Sequence, residues 1–165
     1  MTAAGIYSMK SKKTKIAYRA IAFALLLISM IVSAAIAAEN LRLKDGVSFV
    51  QDTDNGFPIV GDNMDDATFN PVLPTLIFFG ASGDLNTNRQ AKRLVDLYKK
   101  IQDKVKVIVV DVDHPANANV VKLIKTYYKG YIPLNVILDK NGKVSSSHSG
   151  EMDGGELKSK LDRVM

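Results

Sequence analysis

The sequence of 165 residues contains no cysteine and no tryptophan, only two histidines, and no acidic residue before Glu39. The first absence excludes disulfides and every reaction that runs through a thiolate. The scarcity of histidine leaves little material for base catalysis or metal binding. Ser82 and Asp84 with His114 or His148 can be drawn as a triad, but no nucleophile elbow accompanies them. Asp111, Asp113 and His114 can be drawn as metal ligands, yet neighbouring residues at a strand end point in different directions and no second cluster completes a shell. No catalytic residue, metal ligand or cofactor is therefore assigned.

The absence of acid at the start isolates Lys10, Lys12, Lys13, Lys15 and Arg19. Of the 22 basic residues these lie in the leader, and the remaining ones equal the 17 acidic residues in number. The formal charge of +5 is thus a property of the leader, and no nucleic-acid surface is expected. After the basic stretch, Ala20 to Ala38 carries no charge and ends in Ala35-Ile36-Ala37, an A-x-A cleavage pattern. The segment reads as a secretory signal cut after Ala37, with Met9 as an alternative start. Its apolar length also approaches the ~20 residues that cross a bilayer, so the same segment can be retained as an anchor with its lysines in the cytoplasm. On both readings the rest of the chain is exported, to the periplasm or beyond, either free or held at the inner membrane. A soluble core helix is disfavoured, because such helices are not apolar all round over this length.

The sequence divides into residues 1–38, a signal peptide or membrane anchor, residues 39–70, an N-terminal extension, and residues 71–165, one domain. In the extension, Val47 to Gln51 and Phe57 to Val60 flank Asp52-Thr53-Asp54-Asn55-Gly56, which predicts a β-hairpin with an Asn-Gly turn. A calcium loop is a poorer fit, since the glycine falls one place early and no glutamate closes the loop. Between Glu39 and Asp66 acidic residues outnumber Arg42 and Lys44, which makes this arm negative.

The domain is organised around Leu73 to Thr87. Leu76-Ile77-Phe78-Phe79 predicts a strand buried on both faces, and Gly80 and Gly83 release it into a loop. Ala91, Leu94, Val95, Tyr98 and Ile101 then recur at helical spacing. Lys104 to Val112 predicts a second buried strand, Pro115 a helix through Val120, Leu123 and Tyr127, and Leu134 to Leu138 with Lys143 to Ser147 a hairpin about Asp139-Lys140-Asn141-Gly142. Asp153 and Glu156 form a capping pair for a last helix carrying Leu157, Leu161 and Val164. The fold class is α/β, a mixed central sheet flanked by helices in the order β-α-β-α-β-β-α.

From about Leu73 onward this order resembles the thioredoxin family. Leu76 to Phe79 matches its first central strand, Val107 to Asp113 the second, and Tyr131-Ile132-Pro133 the cis-proline segment, with the Asp139-to-Lys143 hairpin, Gly150 and the Glu156-Leu157 helix following in step. The resemblance implies a thioredoxin-like fold and a cis Ile132-Pro133 bond, which costs only ~0.5 to 1 kcal/mol relative to trans. It also places the family's C-x-x-C motif at Gly83-Asp84-Leu85-Asn86, its buried acid at Ile77 and the lysine partner of that acid at Val109. None of the reactive groups is present, so redox activity is not carried over. What the resemblance leaves is a binding surface made of Ser82, Gly83, Asp84, Leu85, Asn86, Ile132 and Pro133, where the Ile132 backbone can pair with an extended protein or peptide segment of the cell envelope.

A second likeness is local. Gly80-Ala81-Ser82-Gly83-Asp84-Leu85 resembles the nucleotide-binding loop of sugar-phosphate dehydrogenases, and Asp111 ends the next strand where a ribose-binding acid would sit. A nucleotide-dependent oxidoreductase using the Gly80-to-Leu85 loop is therefore the alternative. Against it stand the antiparallel turn after two parallel strands and the lack of room for a substrate domain.

Overall fold

The computed structural model describes residues 41–61 and 64–165. The expectations for residues 1–38 lie outside this range. Four strands form the central sheet: β3 (Thr75–Gly80), β4 (Lys106–Asp111), β5 (Leu134–Leu138) and β6 (Val144–Ser149), in the order β4-β3-β5-β6. β3 and β4 are parallel, and β5 runs antiparallel to both β3 and β6. Helices α1 (Leu85–Ile101), α2 (Ala118–Tyr127) and α3 (Gly154–Asp162) complete the domain. β1 (Arg42–Leu43) and β2 (Ile59–Val60) pair separately as a short antiparallel ribbon.

All residues of β3 are buried, because helices cover both of its faces. Leu76 and Phe78 face α1 and α3, where Ala91, Leu94, Val95, Tyr98, Leu157 and Leu161 meet them. Ile77 and Phe79 face the other way, toward Val120 and Leu123 of α2. The period of two thus sorts one apolar run into two cores. Each expected periodic residue of α1, from Ala91 to Ile101, is buried.

The 41–61 segment contributes to the first core rather than hanging beside it. Leu41 and Ile59 are buried there, and Phe57 meets Phe78 with ring centroids 6.4 Å apart. The expected hairpin does not form: β1 supplies the first strand, pairing Arg42 with Val60 and Leu43 with Ile59, while Val47 to Gln51 is a loop. The carbonyls that a ladder would have used are taken by side chains of α1, as described below. Met64 forms a single parallel bridge to Val109 and so covers part of the outer edge of β4.

Several boundaries shift for local reasons. α2 begins at Ala118 rather than Pro115, because the Asn117 side chain accepts from the Asn119 and Val120 N–H groups and caps it there. Asp153 caps α3 as expected, accepting from Gly155 N, but Glu156 pairs forward with Lys160 instead of closing a reciprocal box. The Ile132-Pro133 bond is cis. Two parallel strands, an antiparallel pair entered through this proline, α1 and α3 on one face and α2 on the other make this a thioredoxin-like fold.

Candidate functional site

The sheet register brings the two expected walls to one end of the sheet. Phe79 pairs with Leu134, which puts the chain beyond each, Gly80 on one side and Pro133 on the other, at the same end of the sheet. From Gly80 the chain leads through Ser82 and Gly83 to α1, and from Pro133 it leads back to Ile132 and Tyr131. Tyr131 is 71% exposed and Ile132 is half-buried. Among the described residues no backbone hydrogen bond engages the N–H or C=O of either one, whereas the Pro133 carbonyl accepts from Gly150 N at 2.7 Å. An unpaired stretch of backbone therefore borders the site.

The opposite wall is built differently from the expectation, because a strap from residues 48–54 lies across the start of α1. The Asn88 Nδ2 donates to the Ser48 carbonyl at 3.0 Å and the Arg89 Nε to that of Phe49 at 3.1 Å. Asp52 Oδ1 accepts from the Leu85 N–H at 2.8 Å, and Thr53 N donates to the Gly83 carbonyl at 3.2 Å. Asp84 is the N-cap, its Oδ2 accepting from Thr87 N at 2.5 Å. Two carboxylates thus answer the positive end of the helix dipole, where the family places a thiolate. A shallow hollow lined by Asp52, Thr53, Asp54, Ser82 and Gly83 remains, and its charge is negative. Leu85 is half-buried and Asn86 exposed at the start of the helix.

The glycines of this loop have structural work. At Gly83 the backbone has φ +81, and a Cβ placed there would lie 2.6 Å from the Thr53 carbonyl oxygen. At Gly80 a Cβ would collide with the Thr87 methyl group. The hollow beside Gly83 is lined by Asp52 and Asp54, whose charge opposes a phosphate. The Leu85 and Thr87 N–H groups, which a pyrophosphate would need, are already bound by Asp52 and Asp84. The nucleotide-binding alternative therefore finds no free donors at its key amides.

Ser82 and His114 do converge, but on Asp111. Ser82 Oγ donates to Asp111 Oδ2 at 2.8 Å, His114 Nδ1 lies 3.1 Å from the same oxygen, and Asp113 N donates to Oδ1. The histidine is not between the hydroxyl and the acid, so the arrangement is no triad, and Asp84 is engaged elsewhere as a cap. Asp65, at the β4 edge with φ +55, is held above the usual carboxylate range by burial and then by the nearby charge of Asp111. Ile77 and Val109 are both buried but on opposite sheet faces, so they cannot stand for the family's facing acid and lysine. Ile77 lies beside Ile108, and Val109 beside Phe78.

No family model matches this chain, and neither does any curated protein. Solved structures similar to it include a malarial protein, with 14% identity, TM-score 0.49, and coverage of 56% of this chain and 98% of the other. An uncharacterised thioredoxin-like protein from Clostridium perfringens shows 22% identity, TM-score 0.48, and coverage of 56% and 71%. StoA from Bacillus subtilis shows 20% identity, TM-score 0.47, and coverage of 62% and 87%.

Proposed function

We propose that this is an exported, redox-inactive thioredoxin-like domain that binds an extended segment of a cell-envelope protein or peptide along Tyr131, Ile132 and Pro133. The observation that carries the reading is the unpaired backbone of Tyr131 and Ile132 beside the exposed Tyr131 ring. Such groups are the usual docking rail for strand addition. Ser82, Gly83, Asp84 and Leu85 form the facing wall, and Asp52 and Asp54 add negative charge to it. Basic or neutral segments fit this wall better than acidic ones. With no cysteine anywhere in the chain, binding takes the place of thiol exchange in this reading, and an insulin-reduction assay should show no turnover.

An NMR titration with a short basic peptide of extended sequence tests the proposal. Amide shifts are expected at Tyr131 to Leu134 and at Ser82 to Leu85, and Tyr131→Ala should weaken binding without lowering the thermal midpoint. Shifts confined to other surfaces, or binding indifferent to Tyr131, would overturn it.

A further inference from the structure

Helix α2 differs from the other helices in its charge. On α1, Lys92 and Lys99 meet Asp96 at 3.5 and 4.0 Å, and on α3, Lys158 meets Asp162 at 2.7 Å and Lys160 meets Glu156 at 3.4 Å. α2 carries Lys122 and Lys125, with Lys129 just beyond its end, all exposed and none with an acidic partner among the described residues. From Pro115 to Leu138 the sequence has no aspartate or glutamate. One face of the domain is thus positive even though the chain beyond the leader is balanced.

A groove runs along this helix. One section of about 340 Å³ is lined by Phe69, Leu123 and Tyr127, with Lys122 at its rim. The next, about 170 Å³, lies between Tyr127, Val136 and Val144, with Lys129 at its rim. Thr126 and Tyr127 line both sections, and no acidic residue lines either. Phe69 and Val144 are 43% and 45% exposed, so apolar surface reaches solvent at both ends. The second section abuts β6, which ends the sheet order and has no strand on its outer side among the described residues. Unpaired cations around apolar recesses match a ligand with the opposite charge and side chains large enough to fill them. A flat anionic membrane supplies the charge but cannot enter a recess between a helix and a strand.

We propose that the groove running along α2 from Phe69 to β6 docks an acidic protein segment that carries aromatic or aliphatic anchors. The site is separate from the Tyr131-to-Pro133 rail and has the opposite charge preference.

Fluorescence anisotropy with a labelled peptide of alternating glutamate and phenylalanine, against its lysine-phenylalanine counterpart, tests this proposal. The acidic peptide should bind about tenfold or more tightly than the basic one. The double variant Lys122→Glu, Lys129→Glu should remove at least about tenfold of that affinity, with circular dichroism unchanged because both side chains are exposed. Tyr131→Ala should leave it intact, which separates this site from the other. Equal binding of the two peptides, indifference to the lysine reversals, or tighter binding to phosphatidylglycerol vesicles than to the acidic peptide would each overturn the proposal.

Discussion

The carboxylate of Asp52 accepts a hydrogen bond from the backbone N–H of Leu85 at 2.8 Å, although the two residues are 33 positions apart. This bond fastens the strap to the first residue of α1 and puts an aspartate side chain at the positive end of the helix. It turns a helix N-terminus that could receive a ligand into one already satisfied.

Asp52→Ala should therefore loosen the strap. Loss of a carboxylate at a helix N-terminus costs about 0.5 to 2 kcal/mol. Urea unfolding should show a drop of that size, and limited proteolysis should cut more readily between Ser48 and Asp54. An unchanged cleavage pattern would show that the Asn88 and Arg89 contacts hold the strap without Asp52.

Gly83 and Gly142 provide a matched comparison. Both have positive φ, +81 and +78, but a Cβ at Gly142 meets nothing within 4 Å, while one at Gly83 meets the Thr53 carbonyl. Gly142→Ala should cost about 1 kcal/mol for the backbone conformation alone. Gly83→Ala should cost clearly more, and the difference between the two urea midpoints reports the closeness of the strap.

Asp65 gives a pH signature. Burial, then the charge of Asp111, raises its pKa in the folded state, so the folded protein favours the protonated form. Its ionisation destabilises the fold, and the penalty appears as pH rises through the unfolded value of 3.8 toward the raised folded one. Asp65→Asn keeps a side chain that tolerates φ +55 and removes the charge. The variant should melt at a higher temperature than the parent at neutral pH, with the gap closing below the carboxylate range. A gap independent of pH would assign the effect to something other than ionisation. Asp66 has the opposite sign. Burial alone would raise it, but hydrogen bonds from Lys106 and Thr68 and the Lys106 charge outweigh burial and lower it. Its stabilising contribution is complete above the unfolded value and is lost as pH falls through the lowered one.

If the leader is cleaved after Ala37, mass spectrometry of the exported protein should find Ala38 as its first residue, in the soluble fraction. Intact chain recovered only with detergent would instead establish an anchor.

The strands and helices of the domain were legible in the sequence because each announces itself locally, whereas the cis proline followed from the family resemblance. Leu76 to Phe79 is a short apolar run closed by glycine, and Ala91 to Ile101 keeps a helical period. The strap was not legible. Its bonds join Ser48 to Asn88 and Phe49 to Arg89, each across 40 residues, and they use side chains that carry no periodic signal. The Asp52-to-Gly56 turn signal predicts a hairpin strand at Val47 to Gln51, yet Val50 is 82% exposed and the neighbouring carbonyls are held by α1. The site showed the same division. Gly83 to Asn86 and Ile132-Pro133 were placed by the family resemblance. The bonding of Ser82 to Asp111 and the placement of Ile77 and Val109 on opposite faces depend on sheet register, which a single sequence does not fix.

The closeness of the Thr53 carbonyl to Gly83 limits what chemistry this loop can acquire. The first cysteine of a C-x-x-C motif introduced here would fall at position 83, where its β-carbon would stand 2.6 Å from an oxygen of the strap and on a backbone that disfavours side chains. Point mutations at positions 83 and 86 would supply sulfur without supplying room for it. Thiol chemistry at this place would have to begin in the strap, by releasing residues 48–54, before any change in the loop could be useful.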